Sequence, residues 1–402
     1  MEMDLGLAKV HLKPRRALPF FNRHPWVFAG AIQKIEGTPQ AGDEVALVSD
    51  RGEFIARGLF NPDSNIQVRL YSWDANEGLD EAFWSKRLDE AIGLRNGSAE
   101  YNRPEGGCRL VFSEGDGLSG LTVDRYGTWL LMQITSRALG MRKDLLVGLL
   151  KEKMNPAGIW LRTEKGIREA EGLELQDGLI DGPEPPRPLF LEEHGLRYGV
   201  DLVEGQKTGF FLDQRENRLA AARHLKTGKV LDLFCYSGGF ATAVAKNPEV
   251  QQVLAVDISE SALRLARGNA ELNDVARKIQ FEKADVFKWI ESLPEKGEKY
   301  DGIILDPPKM ARHKKSLPEA VRAYHKLNRL AMESLVPGGI LVSCSCSGHV
   351  SREMFLSTVA DAAATAKRRV QILESRGASS DHPISLHCLE TEYLKCLICR
   401  VL

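Results

Sequence analysis

Three apolar runs in this chain each stop at residues able to do chemistry: KVLDLFCYSGGF (229–240), YDGIILDPPKM (300–310) and GGILVSCSCSG (338–348). The first carries Asp232 and turns through Tyr236, Ser237 and Gly238, where small residues let backbone approach a ligand closely. The second runs into Asp306-Pro307-Pro308-Lys309. Its prolines fix φ and remove donors, so the loop is rigid and suited to hold a planar group by its polar edge. The third leaves Cys344 and Cys346 at a strand end, two positions apart, so both face one side while strand geometry lasts.

Two more carboxylates close neighbouring runs. Asp257 ends QQVLAVD, nineteen positions after Gly238, where a strand-end acid accepts hydrogen bonds from ribose hydroxyls. Asp285 ends the next run, within reach of an adenine amino group. Each acid alone reads as a helix cap or a solvated loop residue. Asp232, Asp257 and Asp285 at successive strand ends read as a nucleoside site. The turn lacks G-x-G-x-x-G, which argues against pyrophosphate and for a smaller ligand with an amino-acid tail.

A thiol beside such a site has a specific use. Carbon 5 of cytosine is a poor nucleophile until a thiolate adds to carbon 6 and makes it enamine-like, able to take a methyl from a sulfonium. The thiol then leaves by elimination, so a cysteine must reach both base and cofactor. A free thiol of pKa ~8.5 is only a few per cent ionised at neutral pH, so nearby cations help. The other thiols offer less. Cys396 and Cys399 form C-x-x-C inside a strand-like terminus, where odd spacing sends them to opposite faces, and no metal site is expected. Cys108, Cys235 and Cys388 read as structural.

Cations flank these groups. Lys309, Arg312, His313, Lys314 and Lys315 contain no acid among them, and residues 9–35 hold Lys9, Lys13, Arg15, Arg16, Arg23 and Lys34, again without an acid. Such stripes contact phosphates or form solvated faces; the formal net charge of −1 excludes neither.

The elements that must position these residues change character along the chain. Short strands with turns over 26–72 predict a β-barrel domain at 1–75. A helix around 81–93, strands at 109–113, 120–124 and 129–134 and a helical stretch near 137–154 predict a central α+β domain at 76–190. Gly182–Pro188 holds four prolines in seven positions and marks its end. From 191 to 402, strands near 229–234, 251–256, 279–282, 301–305 and 339–343 alternate with helices such as 259–273 and 318–335, the rhythm of a doubly wound α/β sheet. A chain of 402 residues, 43% hydrophobic, suits several packed domains. No apolar run reaches the ~20 residues needed to cross a bilayer. Seven cysteines, an odd number, fit reduced thiols in a cytoplasm.

Taken with EEHGLRYGVDLVEGQKTGFFLDQRENR (192–218), these motifs resemble the class I S-adenosylmethionine-dependent RNA methyltransferases, specifically the RlmI-type large-subunit rRNA cytosine-C5 enzymes. RHPWVFAGAI (23–32) is similar to the opening of a PUA RNA-binding domain, so the likeness spans nearly the whole chain. The resemblance implies a Rossmann-like methyltransferase sheet behind a PUA-like barrel, S-adenosylmethionine as cofactor, 23S ribosomal RNA as partner, and no membrane. It implies Cys346 as nucleophile, Asp306 as the grip on the cytosine edge, and Phe211, Asp213 and Gln214 lining the cofactor or base pocket. Lys309, Arg312, Lys314, Arg15 and Arg16 would then meet RNA. Many two-cysteine relatives carry a Cys after the proline of the fourth-strand loop; Asp-Pro-Pro-Lys departs from that and leaves the release step without an assigned base. An exocyclic-amine RNA methyltransferase and a non-catalytic RNA-binding or assembly factor are the competing readings, with a dehydrogenase a remote third. The oligomeric state stays open, a homodimer among the options.

Overall fold

Strands buried on both faces read as continuous apolar runs, and VLDL and GIIL are such runs. In the computed structural model, which describes residues 6–97, 102–163, 165–203, 209–311 and 313–402, they lie at the middle of a seven-stranded sheet. Its strands are β1 Gly228–Leu233, β2 Val250–Asp257, β3 Ile279–Lys283, β4 Tyr300–Leu305, β5 Leu335–Ser345, β6 Val370–Arg376 and β7 Lys395–Val401. Their order is β3-β2-β1-β4-β5-β7-β6, parallel except that β7 runs antiparallel to β5 and β6. The period of two divides their side chains between two cores. Leu231, Leu233, Ile303 and Leu341 pack on one face with the helices Leu317–Ser334 and Arg352–Thr365. Val230, Ile304, Val342 and Cys344 pack on the other with Arg215–His224, Gly239–Ala245 and Glu260–Leu272. Strand order switches at β1, with β2 and β3 added on one side and β4 and β5 on the other, so the crevice at the carboxyl ends of β1 and β4 is where a ligand fits.

Contacts group residues 190–200, 210–380 and 392–402 around this sheet, and residues 1–189, 201–209 and 381–391 into a second unit. Within the latter, the expected barrel region is a six-stranded sheet in the order Trp26–Phe28, Ile66–Ser72, Phe54–Phe60, Glu44–Val48, Ala8–Leu12, Ile32–Glu36. All six strands feed one core around Val10, Val27, Val45 and Val68, as a barrel-like sheet must. The central region forms a five-stranded sheet behind helix Glu81–Asn96, whose N-cap Asp80 accepts from Phe83 N. The helical stretch near 137–154 is two helices, Arg137–Gly140 and Lys143–Met154.

The two N-terminal sheets form one unit for a visible reason. Buried Arg69 on the first pairs with Glu114 at 3.4 Å and Glu171 at 3.2 Å, and Tyr71 Oη donates to Ser119 O at 2.7 Å. Segment 381–391, expected with the C-terminal part, is bonded here too. Asp381 Oδ2 accepts from Arg109 N at 2.9 Å, and Arg95, held by Asp116, donates to Asp381 O at 2.7 Å.

Candidate active site

At the end of β1 the chain makes a tight turn that only particular residues allow. Phe234 and Tyr236 have φ of 66° and 48°, and Gly238 has φ of 74°. A Cβ on Gly238 would also lie 3.0 Å from the Ala266 Cβ, so this glycine is needed twice over. Asp257, at the end of β2, holds the turn from beside it: Oδ2 accepts from Tyr236 N at 2.9 Å and Oδ1 from Ser259 N at 2.8 Å. Ser237 is buried, and its carbonyl accepts from Asn269 Nδ2 at 3.0 Å.

Asp232 is 1% exposed; Oδ2 accepts from Ala241 N at 3.0 Å while buried Oδ1 has no hydrogen-bond partner. Burial first, and then the nearby carboxylates of Asp306 and Asp257, push its pKa well above the usual carboxylate range. A buried, unpaired acceptor among acids is relieved by a ligand that brings donors or positive charge. S-adenosylmethionine brings an ammonium and a sulfonium, so the residues fit it. Asp285 caps the helix Val286–Glu291, accepting from Phe287 N at 3.1 Å through Oδ1, as a lone acid at a strand end commonly does.

The second edge of the site is built by β4, β5 and the Phe211–Arg215 segment. Asp306 Oδ1 accepts from Gln214 Nε2 at 2.9 Å. Gln214, itself buried, is set by Asn217, whose Nδ2 donates to Gln214 Oε1 at 2.6 Å. Phe211 meets Tyr236 edge-on with ring centroids 5.1 Å apart, joining the segment to the cofactor turn. Asp213 turns elsewhere: Tyr393 Oη donates to its Oδ2, its carbonyl accepts from Ser379 N at 2.9 Å, and its buried Oδ1 is unpartnered.

Cys344 and Cys346 have different fates. Cys344 is fully buried opposite Cys396, whose hydrogen bond, together with burial, pushes its thiol far up. Cys346 lies one residue beyond β5, half-buried, with Sγ donating to Pro307 O at 3.7 Å. Ser347 fixes that approach: its Oγ accepts from Met310 N at 3.0 Å and Ala311 N at 3.1 Å and lies 3.1 Å from Tyr324 Oη. The serine thus clamps the Asp-Pro-Pro-Lys loop to the strand end that carries the thiol. Ser347 and Tyr324 were not singled out in the sequence, although Ser347 stands inside the SCSCSG cluster.

Lys309 and Lys314 are exposed beside this loop, and Arg312 lies outside the described residues. Arg15 and Arg16 are exposed in the other unit, with Lys13, Arg23 and Lys34 exposed nearby in sequence. Cys396 and Cys399 do point to opposite faces of the sheet, one in each core. Among the described residues one group, His24, Cys388 and Glu390, brings possible metal-ligand atoms within 4.8 Å of one another. His24 Nδ1 accepts from Trp26 N at 3.3 Å, which leaves the proton on Nε2, facing Glu390, and makes that nitrogen a donor rather than a ligand. No described helix is long and apolar enough to cross a membrane.

A family model of a PUA-like domain matches residues 10–73, and one of an S-adenosylmethionine-dependent methyltransferase matches residues 179–383. The chain is 39% identical over 403 residues to the Escherichia coli O139:H28 protein named ribosomal RNA large subunit methyltransferase I, covering 100% of both. It is 42% identical over 396 residues to the protein of that name from Tolumonas auensis, covering 98% of this chain and 99% of that one. Among solved structures, a Streptococcus mutans chain described as a SAM-dependent methyltransferase superposes with a TM-score of 0.84 at 21% identity, covering 98% of this chain and 100% of its own. A methyltransferase complexed with SAH gives the same TM-score of 0.84 at 22% identity, with the same coverage of 98% and 100%. At that identity the two structures speak for the fold: a PUA-like part and a Rossmann-like class I methyltransferase sheet.

Proposed function

The chain belongs to the ribosomal RNA large subunit methyltransferase I family of S-adenosylmethionine-dependent enzymes, and on that footing we propose that it methylates carbon 5 of a cytosine in large-subunit rRNA through a covalent bond to Cys346. One observation carries the covalent route. Of seven cysteines, six are buried, and the seventh, Cys346, stands at the Pro307 carbonyl beside Asp306.

Asp306, oriented by Gln214, is assigned to accept from the exocyclic amine of the base. As thiolate, Cys346 bonds through Sγ to carbon 6, and the electron pair of the 5,6 double bond becomes available at carbon 5. Bound S-adenosylmethionine would supply the electrophilic methyl on its sulfonium: the carbon 5 electron pair forms the new C–CH3 bond as the S–CH3 bond breaks, and the leaving group would be the neutral thioether. With carbon 5 methylated, its proton passes to a base, the double bond re-forms, and the carbon–sulfur bond breaks to return the thiolate. Asp232, Tyr236, Ser237, Gly238, Asp257, Asp285 and Phe211 are assigned to the cofactor; Asp213 and Gln214 are assigned to the wall between cofactor and base. A cytoplasmic setting suits seven free thiols.

The assay is direct. The purified protein, large-subunit rRNA and methyl-labelled cofactor should yield 5-methylcytidine on nucleoside digestion. Label recovered only as N4-methylcytidine would replace the covalent route with the amine reading, and no transfer together with no cofactor binding would favour a scaffold.

RNA grip is assigned to Lys309, Arg312 and Lys314 and, in the other unit, to Arg15 and Arg16. Because phosphate contacts release counterions, affinity should fall steeply with salt. The double variant Arg15→Asn/Arg16→Ala should flatten the slope of log K against log salt by about 1 to 2. Asn is chosen at position 15 because the backbone there has φ of 65°, which Asn tolerates. An unchanged slope would make these arginines a solvated face only.

A further inference from the structure

Lysine is almost never fully buried unless paired. Lys395, the first residue of β7, is 1% exposed, and among the described residues no carboxylate lies within ion-pair distance of it. Its Nζ donates to two neutral carbonyls, Ser347 O and Tyr393 O, each at 2.8 Å. The strand register explains where the ammonium arrives. Lys395 sits directly opposite Ser345, and its side chain reaches past that residue to the carbonyl of Ser347, so it spans the backbone that carries Cys346. We propose that the Lys395 ammonium is the positioning cation of the Cys346 thiolate, stabilising it before it attacks the base and again when it leaves.

This rests on the covalent reading of Cys346 and assigns the cation that reading needs. The surrounding charges favour it. Burial lowers the Lys395 pKa to about 8, and Cys346 is the strongest of the groups that push it back up. Coupling between two titrating sites is reciprocal, so the ammonium favours the thiolate by the same amount. The other charged groups facing Lys395 are Arg352 and Glu392, and these are tied to each other at 2.7 Å. Tyr324, a titratable neighbour of Cys346, is pushed up to about 12, first by burial, and stays neutral. Asp306 precedes the Pro307 carbonyl that Cys346 meets, and its carboxylate opposes a thiolate there, which adds to the need for a cation. The two carbonyls fix Nζ in place but carry no charge to neutralise it. The anion that completes the set is the thiolate.

The test reads the thiol itself. In the full-length protein, the rate at which iodoacetamide alkylates Cys346 is followed against pH by mass spectrometry of its peptide; the other six cysteines are buried and react slowly. The wild-type midpoint should fall below the ~8.5 of a free thiol. Lys395→Met should raise it by about one unit, slowing alkylation at neutral pH about ten-fold, while Lys395→Arg should hold it near wild type. An identical midpoint in the methionine variant overturns the proposal. So does a wild-type midpoint at or above ~8.5, a measurement that stands even where the variant does not fold. Methyl transfer by Cys346→Ala would remove the nucleophile assignment and leave the thiol titration to speak for Lys395 separately.

Discussion

Cys346→Ala should lower 5-methylcytidine formation by about three orders of magnitude or more, with cofactor affinity and thermal midpoint close to those of the unchanged protein. The size follows from the chemistry: with no sulfur to add at carbon 6, carbon 5 stays a poor nucleophile, and no neighbour can substitute. Cys344 is the nearest thiol in sequence, but it lies fully buried against Cys396. The folding cost should be small, because Cys346 is half-buried and the truncation removes one weak S–H donation to Pro307 O, about 1 kcal/mol or less. Cys344→Ala provides the opposite pattern. It leaves a hole in the core shared with Ile304 and Val342, so stability falls while turnover per folded molecule holds. Single-turnover rates alongside melting curves separate the two. Undiminished turnover by Cys346→Ala would remove the covalent route and leave the exocyclic amine as the acceptor.

The parts of this site that were legible in the sequence share a cause. β1, β2, β4 and the helix Glu260–Leu272 fall within a residue or two of the expected spans, because strands and helices buried in a doubly wound sheet are written as unbroken apolar runs or strong periodicity. Their ends, and so Asp232, Asp257, Asp306 and the thiols, came with them. Ala8–Leu12 escaped notice, since five residues with Lys9 and His11 facing out look like part of a basic tail. Nothing local could reveal that Gln214 holds Asp306 from 92 positions away, or that Ser347 clamps the proline loop. A hydroxyl or an amide has the same sequence appearance on a surface as in a network, and only the fold chooses its partner. Lys395 is the extreme instance: nothing in YLKCLICRVL distinguishes it from an exposed lysine on a strand, and the structure buries it. The return of 381–391 to the first unit was hidden for the same reason, as Asp381 bonds to Arg109, 272 positions earlier.

Arg218, which closes the 192–218 stretch that carries the family resemblance, acts through a buried charge pair, and breaking it should have the largest effect on stability. Arg218 and Glu193 are 3% and 5% exposed and form two parallel bonds of 2.7 and 2.6 Å. Burial pulls the guanidinium pKa down, but the Glu193 carboxylate outweighs it, so the pair stays ionised. Arg218→Met would leave Glu193 buried with only Arg215 at 3.9 Å, and should destabilise the methyltransferase unit by about 3 to 5 kcal/mol. Glu193→Leu/Arg218→Met, which leaves neither partner of the pair behind, should recover much of that loss. Because the chain has two compact units, the effect belongs in hydrogen exchange over Arg215–His224 rather than in one global midpoint. Activity should suffer too, even in folded molecules. Arg218 Nη1 donates to Phe211 O at 3.0 Å and its guanidinium covers the Phe210 ring at 4.4 Å, so its loss removes one of the bonds that hold Phe211 against the Tyr236 turn. A glycine is needed at 239 partly to admit this arginine, for a Cβ there would lie 3.0 Å from Arg218 Cδ. Both variants lack Arg218, so both should bind S-adenosylmethionine more weakly than the unchanged protein, even where the double variant recovers fold. Equal exchange protection in wild type and Arg218→Met would show that Arg215 alone can balance Glu193, and would move the support of the cofactor turn onto Asp257.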